Sequence, residues 1–270
     1  LDALEEQDLR PLTQAEILSL SGVSSSVLKG LVALGAVREE EVPRDLPFAS
    51  LEPDFGGKTL SEAQTAGAEA LIAAQRKGGY GTTLLQGVTG SGKTEVYLEA
   101  VAETLRQGRQ ALVLLPEIGL TAEFLSRVEA RFGARPAEWH SGVTLTERRR
   151  AWIQTAEGGA QLVVGARSAL FLPFRDLGLI VVDEEHDPSY KQEEGVLYNA
   201  RDMAVLRASI AGARVVLASA TPSLESWANA DAGKYERVLL ADRFGAAAMP
   251  EMRAVDLRVD SPPSGLWISE

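Results

Sequence analysis

Short apolar runs alternate with amphipathic stretches along most of the chain. The runs are continuously apolar or β-branched, which is typical of strands buried on both faces of a parallel sheet. They are Thr82–Gln86, Ala111–Leu115, Gln161–Val164, Leu179–Val182 and Arg214–Ala218. The stretches between them have helical periodicity, as in Glu95–Leu105. The alternation predicts an α/β lobe with a mostly parallel, doubly wound sheet and helices on both faces.

The first fifty residues follow a different pattern. Helical stretches are predicted over Gln14–Leu20 and from Ser24 to about Leu34, and Ala36–Val42 has the alternation of a short strand. A helix, a tight turn, a helix and a strand outline a winged-helix or helix-turn-helix domain. A plain helical hairpin packed on its neighbour fits the same pattern. Lys29, the one cation of the second helix, argues against a helix that reads bases.

Proline and glycine mark the change between these two patterns. Pro43, Pro47 and Pro53 are followed by Gly56-Gly57, a composition typical of a linker. We therefore predict a small domain over residues 1–50, a linker over 51–59 and the α/β lobe over 60–240.

Composition and charge exclude several classes of protein. No long apolar run or charged, apolar leader is present, which argues against a membrane span and a secretory signal and favours the cytoplasm. The absence of cysteine excludes disulfides and cysteine-ligated zinc in this chain. The net charge of −11 argues against a generally basic surface for nucleic acid, but it leaves room for a local cationic track. Because the chain begins with Leu1, we expect it to be a piece of a longer protein.

The strongest chemical signal is Gly87–Thr94, which reads GVTGSGKT between a predicted strand and a predicted helix. A phosphate-binding loop requires this context. Its glycines let successive N–H groups face a phosphate, and the helix N-terminus adds positive potential. Lys93 would reach the β- and γ-phosphates of ATP, and Thr94 would ligate Mg²⁺. The candidate nucleotide-binding residues are Gly87, Thr89, Gly90, Ser91, Gly92, Lys93 and Thr94. The alternative is a glycine-rich turn without a ligand.

A second signal is the acidic run DEEH directly after the predicted strand Leu179–Val182. The carboxyl ends of parallel strands form the edge at which ligands of such folds bind. We predict that Asp183 holds Mg²⁺, mostly through water, and that Glu184 orients and deprotonates an attacking water. His186 is assigned a coupling role, since water is the nucleophile. A solvated acidic loop is the alternative.

Hydroxyl groups follow the last predicted strand. Ser219 and Thr221 could hydrogen-bond the acidic run on the neighbouring strand, or they could cap a helix that begins near Pro222. The other histidine, His140, is predicted to have a loop or packing role.

These residues lie in longer strings that resemble a known family. GVTGSGKT, DEEH and SAT together resemble the first RecA-like lobe of a superfamily 2 helicase of the DExH type. The wider strings are similar to the PriA family of bacterial replication-restart helicases over roughly residues 60–234, and this family has a winged-helix domain where residues 1–50 lie. The strings are LLPEIGLTAEF (114–124), GARSALFLPF (165–174), DEEHDPSYKQEEG (183–195), NARDMAVLRA (199–208) and ASATPSLES (218–226).

The resemblance implies an ATP-driven 3′→5′ DNA helicase that acts at stalled forks and D-loops and helps to reload the replicative helicase. Its cofactors would be ATP and Mg²⁺. Its partners would be forked DNA, single-stranded DNA-binding protein and primosome proteins, and we expect a monomer that does not contact membranes.

Particular residues take roles from the same resemblance. Gln64 matches an adenine-reading glutamine, and Pro116-Glu117 and Arg167-Ser168 match segments along the DNA track. The loop 187–199 matches an aromatic-rich loop that couples DNA contact to hydrolysis, and its candidate residues are Tyr190, Lys191 and Tyr198.

The chain departs from the family pattern in several respects. Ala166 stands where threonine is usual, and Val196-Leu197 replaces a stretch that commonly contains tryptophan, which leaves Tyr190 and Tyr198 as the loop's aromatic residues. The family's zinc module, its second RecA-like lobe with an arginine finger and its DNA-end-binding domain do not occur in the sequence. We therefore expect 241–270 to begin a connection to a second lobe, and zinc only outside this chain.

Two other functions are weighed against the helicase. A fork-binding scaffold without motor activity is favoured by the altered loop but opposed by the intact Lys93, Thr94, Asp183 and Glu184. A P-loop kinase is disfavoured because DEEH points to hydrolysis and no lid for an acceptor substrate is evident. For the chain alone, we expect weak ATP–Mg²⁺ binding, poor hydrolysis and no unwinding.

Overall fold

The chain divides into two compact units between Pro47 and Phe48. In the computed structural model, the described residues are Leu12, 14–39, 46–116, Gly119 and 121–241. Glu117 and nearly all of the predicted connection 241–270 lie outside the described residues.

The N-terminal unit contains a pair of short helices, α1 (Gln14–Ser21) and α2 (Ser25–Ala33). Both agree with the sequence prediction. The predicted strand Ala36–Val42 is wrong over 36–39, because 36–37 form a bend and 38–39 have no regular secondary structure, and 40–42 lie outside the described residues. The winged-helix domain therefore stays a prediction. No single helix in the described ranges is long and apolar enough to cross a membrane; α1 and α2 reach that length and composition only together, with a bend of 113° between them.

The second unit is built on a seven-stranded parallel sheet. Its strands are β1 (Gly81–Gly87), β2 (Gln110–Leu114), β3 (Ala137–Trp139), β4 (Leu162–Gly165), β5 (Leu177–Asp183), β8 (Arg214–Ser219) and β9 (Glu236–Leu240). Their order is β3-β4-β2-β5-β8-β1-β9. A small antiparallel ribbon pairs β6 (Lys191–Gln192) with β7 (Tyr198–Asn199). The α/β prediction is confirmed.

Helices cover both faces of this sheet. Their bounds are α3 (Glu62–Lys77), α4 (Lys93–Arg106), α5 (Ala122–Phe132), α6 (Leu145–Glu157), α7 (Ala200–Ala211) and α8 (Leu224–Asp231), with 3₁₀ turns at Arg167–Phe171 and Pro188–Tyr190. Apolar residues of α3, α4 and α5 form one core against the sheet, including Tyr97 and Phe132. Alanines of α6 and α7 pack with Leu112 and Ile180 in a second core on the opposite face. The burial of the central strands on both faces explains their continuous apolar pattern.

The segment predicted as a linker, 51–59, packs on the lobe instead. Leu51 lies in the core beside α5, and its N–H donates to the Gln161 side chain at 2.7 Å. The guanidinium of Arg131 donates to the Pro53 carbonyl, also at 2.7 Å. These contacts leave the segment little freedom to act as a hinge.

Candidate functional site

The loop between β1 and α4 has the backbone shape that its glycines predict. Gly90 and Gly92 have φ angles of 80° and 81°, in the left-handed region that favours glycine. A Cβ atom on Gly92 would collide with the Gln64 amide nitrogen, whereas one on Gly90 would meet open space. The tight curl of this loop therefore depends on Gly92 for space as well as for conformation.

Two polar groups in this loop have donors to spare. Lys93 is only 7% exposed, and its ammonium donates to the Gly87 carbonyl at 3.0 Å. An ammonium carries three donors, so two remain for a ligand. The Ser91 hydroxyl is also buried, and no hydrogen-bond partner for it occurs among the described residues. Buried donors without partners are costly, and the phosphate chain of a nucleotide would satisfy them.

Gln64 joins the start of α3 to this loop. Its side-chain oxygen accepts from the Ser61 N–H at 2.9 Å, which completes a capping box at the helix start. Its side-chain nitrogen donates to the Ser91 carbonyl at 2.9 Å. Gln64 thus fixes the loop, and the predicted contact with adenine stays a prediction.

Asp183 ends β5 beside the loop. Its carboxylate accepts from the Tyr97 hydroxyl at 2.9 Å and from the Glu184 N–H at 3.0 Å. Burial raises the pKa of Asp183 to about 6; the Glu184 charge also raises it, whereas the Tyr97 hydroxyl and Lys93 lower it. The two hydrogen bonds hold this carboxylate in place, and a bound cation would offset the cost of burying its negative charge.

The turn after Asp183 is strained. Glu184 has a φ angle of 46°, which is uncommon for a residue with a side chain. Strained backbone of this kind clusters at functional sites. Asp183 and Glu184 both line the same cleft as the phosphate-binding loop.

His186 connects the acidic run to the end of β8. Its Nδ1 lies 2.8 Å from the Ser219 hydroxyl and 3.7 Å from the Glu184 carboxylate. The Ser219 hydroxyl also accepts from the Thr221 N–H at 3.0 Å, and Thr221 is an exposed residue. The predicted contact between these hydroxyls and the acidic run thus forms through Ser219. The alternative cap is wrong, because Ser223 caps α8.

Glu185, for which the local pattern predicts no separate role, is the most buried of the three acids. It is 1% exposed and accepts from the Ser223 N–H at 2.7 Å and from the Ser223 and Ser226 hydroxyls at 2.9 Å each. Arg201 of α7 donates to it at 3.4 Å. The carboxylate therefore anchors the acidic turn to α7 and α8. Nothing in the local pattern separates it from its neighbours, because its partners come from elements distant in sequence.

The residues predicted to line a DNA track lie near the carboxyl ends of β2 and β4. Arg167 donates to the carbonyls of Ser189 and Lys191 at 3.2 and 3.0 Å, so it holds the start of the aromatic-rich loop. The exposed Ser168 accepts from the Trp139 indole at 3.2 Å. Pro116 is buried. Contact of these residues with DNA stays a prediction.

One of the two tyrosines of this loop is buried. Tyr190 is 1% exposed, so it cannot stack on a base. Its hydroxyl lies 2.6 Å from the Asp183 carbonyl and 3.0 Å from the Leu114 carbonyl, which ties the loop to the backbone of the acidic strand. Tyr198 is half-buried and packs edge-to-face on Phe171, and Lys191 is exposed.

The candidate nucleotide site is a cleft of about 320 Å³ at the carboxyl edge of the sheet. It brings together the phosphate-binding loop, Gln64 and the two acids. It also contains residues that the sequence reasoning missed, namely Lys58, Thr59, Leu60, Glu95 and Arg127. Glu95 directly follows the loop in sequence but is not part of its motif, and the fold alone brings the segment before α3 and the middle of α5 to the loop.

Comparison with known proteins supports the same assignment. The sequence pattern described as DEAD/DEAH box helicase matches residues 63–230. Proteins described as Replication restart protein PriA are 42% identical in Bacillus subtilis (strain 168), over 90% of this chain, and 39% identical in Chlamydia pneumoniae, over 96%. The PriA protein of Rickettsia felis is 44% identical over 70% of the chain. The resemblance to the PriA family is confirmed.

These relatives are much longer proteins, since the matched region covers only 31%, 35% and 29% of them, in the same order. Among solved structures, RecG bound to a three-way DNA junction matches 92% of this chain and 35% of that chain, with a TM-score of 0.55 and 20% identity. At this identity the likeness shows the fold alone, which is that of a RecA-like helicase lobe. The family pattern covers most of the chain and contains both the phosphate-binding loop and the acidic run, so the chain belongs to the DEAD/DEAH box helicase family.

Proposed function

We propose that the chain is the ATP-binding motor lobe of a 3′→5′ DNA helicase that acts at stalled forks and D-loops to restart replication. One observation carries the proposal: Lys93, Thr94, Asp183 and Glu184 line a single cleft. The relatives named as replication restart proteins support the biological setting.

The residues of the cleft have the donors and acceptors that ATP hydrolysis needs. Lys93 and the loop N–H groups would bind the phosphates. Glu184 would orient the attacking water and accept its proton. His186 would report the state of Glu184 to Ser219, because it lies between them.

Thr94 and Asp183 fit Mg²⁺. Mg²⁺ commonly takes one or two protein ligands and completes its shell with water and substrate phosphates. The described residues contain no cluster of three or more acidic, histidine or cysteine side chains that could hold a metal alone, so the ion would enter with the nucleotide. When bound, it would neutralise negative charge on the phosphates of the nucleotide.

DNA, single-stranded DNA-binding protein and primosome proteins are the proposed partners of the whole protein, which would act as a cytoplasmic monomer. Within this chain, Glu117, Arg167 and Ser168 are the proposed DNA contacts, and the buried Pro116 would shape the backbone beside them. The exposed Lys191 and the half-buried Tyr198 are the proposed contacts of the coupling loop. Tyr190 is proposed to transmit movement of the coupling loop to the acidic strand, because the Tyr190 hydroxyl donates to the Asp183 carbonyl.

ATP hydrolysis by the full-length protein, measured with and without forked DNA, tests this function. We expect DNA to stimulate hydrolysis and Lys93→Ala to abolish the stimulated rate. Fork binding without stimulation, and without loss in the Lys93→Ala variant, would instead support a scaffold that has no motor activity.

A further inference from the structure

The cleft has a second end that the phosphate-binding residues do not explain. Glu95, in the first turn of α4, lies next to Gln64: its carboxylate and the Gln64 amide both approach the position where Gly92 would carry a Cβ. The Lys58 ammonium lies 2.8 Å from the Glu95 carboxylate, and the Arg127 guanidinium lies 3.6 Å from it. Two cations therefore lie at the Gln64 end of the cleft.

Arg127 is held there from two sides. A second carboxylate, that of Glu123 in the same helix, accepts from its guanidinium at 3.3 Å. Its side chain is 33% exposed, against 65% for Lys58, so it is the more constrained of the two cations. Because two carboxylates on different helices fix the guanidinium, less conformational freedom would be lost when a ligand binds.

The triphosphate does not require these cations. The loop N–H groups and Lys93 already provide for the phosphates, and Lys93 lies close enough to Asp183 to lower the pKa of its carboxyl. A planar guanidinium can stack on a nucleobase and donate to ribose hydroxyls, whereas an ammonium cannot stack. The chemistry at the Gln64 end thus fits a nucleoside better than a phosphate.

We propose that Arg127, positioned by Glu95, is a nucleoside-binding residue that contacts the base and ribose of ATP. This inference rests on the proposed nucleotide site. It adds a contact from the middle of α5, beyond the string LLPEIGLTAEF (114–124) that ends in the first turn of this helix.

Calorimetric titration of the whole chain with ATP–Mg²⁺ and with inorganic tripolyphosphate–Mg²⁺ tests this proposal. Arg127→Ala should weaken ATP binding about tenfold, as expected for the loss of one stacking contact, and leave tripolyphosphate binding unchanged. Arg127→Lys keeps the positive charge but loses the planar guanidinium, so most of the loss in ATP affinity should remain. Arg135→Ala is the matched control, because Arg135 pairs with Glu129 at 3.0 Å and does not line the cleft.

Each other result overturns the proposal. Equal losses for both ligands would place Arg127 on the phosphates, and unchanged ATP binding would remove it from the site. Full recovery of ATP binding in Arg127→Lys would show that Arg127 contributes only its charge. If the unaltered chain bound neither ligand, the proposed function would fail as well, so the two failures are distinguishable.

Discussion

At the scale of single residues, the site depends on backbone conformations that few side chains tolerate. Gly90 and Gly92 share nearly the same φ angle but differ in their surroundings, because only Gly92 faces Gln64. A comparison of the two positions therefore separates the free-energy cost of a left-handed backbone from the cost of a collision with the Gln64 side chain.

Gly92→Ala should therefore harm the site more than Gly90→Ala. Both variants lose about 1–2 kcal/mol of unfolding free energy from left-handed strain. Gly92→Ala should also displace Gln64 and weaken ATP binding about tenfold or more, because the loop loses the support of that amide. Urea unfolding and calorimetry of both variants measure the two effects, and equal behaviour would contradict the role given to Gln64.

The raised pKa of Asp183 predicts a pH dependence of Mg²⁺-assisted ATP binding. Below about pH 6 the carboxyl is protonated and cannot ligate a cation, so the Mg²⁺ affinity should fall about tenfold for each pH unit. Tyr97→Phe removes a hydroxyl that lowers the pKa of Asp183, so the fall should begin at a higher pH.

Mg²⁺ titrations of the ATP complex between about pH 5 and about pH 8 measure this dependence. Asp183→Asn serves as the control. It should remove the pH dependence that comes from the protein carboxyl and leave the pH dependence that comes from the phosphates of ATP. An identical pH profile in Asp183→Asn and the unaltered chain would show that another group is responsible.

At the scale of elements, buried Glu185 joins the acidic turn to two helices. Glu185→Ala leaves the Ser223 N–H and the Ser223 and Ser226 hydroxyls without their acceptor, and it removes one of the carboxylates paired with Arg201, which keeps Asp202. Removing one partner from a buried, charged network of this kind costs about 3–5 kcal/mol of unfolding free energy. Urea unfolding should show this loss, whereas Glu193→Ala, in the exposed pair with Lys191, should change stability by less than about 1 kcal/mol.

The sequence predicted the central strands well because burial on both faces makes them continuously apolar. It missed β3 and β9, since a three-residue strand is too short for a pattern and β9 is largely exposed. The phosphate-binding loop and the acids were found because each is local in sequence. A linear pattern does not show which elements are neighbours in the fold. It therefore could not predict the anchoring role of Glu185, the place of Arg127 in the cleft or the burial of Tyr190.

At the scale of the whole molecule, the chain corresponds to one helicase lobe, and its relatives are about three times as long. The resemblance implies that an arginine finger comes from a second lobe, and such a residue is worth about 10³–10⁵ in rate. The isolated chain should therefore bind ATP–Mg²⁺ but hydrolyse it slowly and unwind no forked DNA. Phosphate-release and strand-displacement assays check this expectation, and sustained unwinding by the chain alone would refute it.

The most direct test of the account is equilibrium binding of ATP–Mg²⁺ to this chain and to Lys93→Ala. We expect one nucleotide per chain and a loss of affinity of about ten- to a hundredfold in Lys93→Ala, because a buried charged hydrogen bond to phosphate is removed. Lys77→Ala, at the exposed end of α3, should bind as the unaltered chain does. No binding by the unaltered chain, or equal binding by Lys93→Ala, would contradict the assignment of the cleft as the nucleotide site.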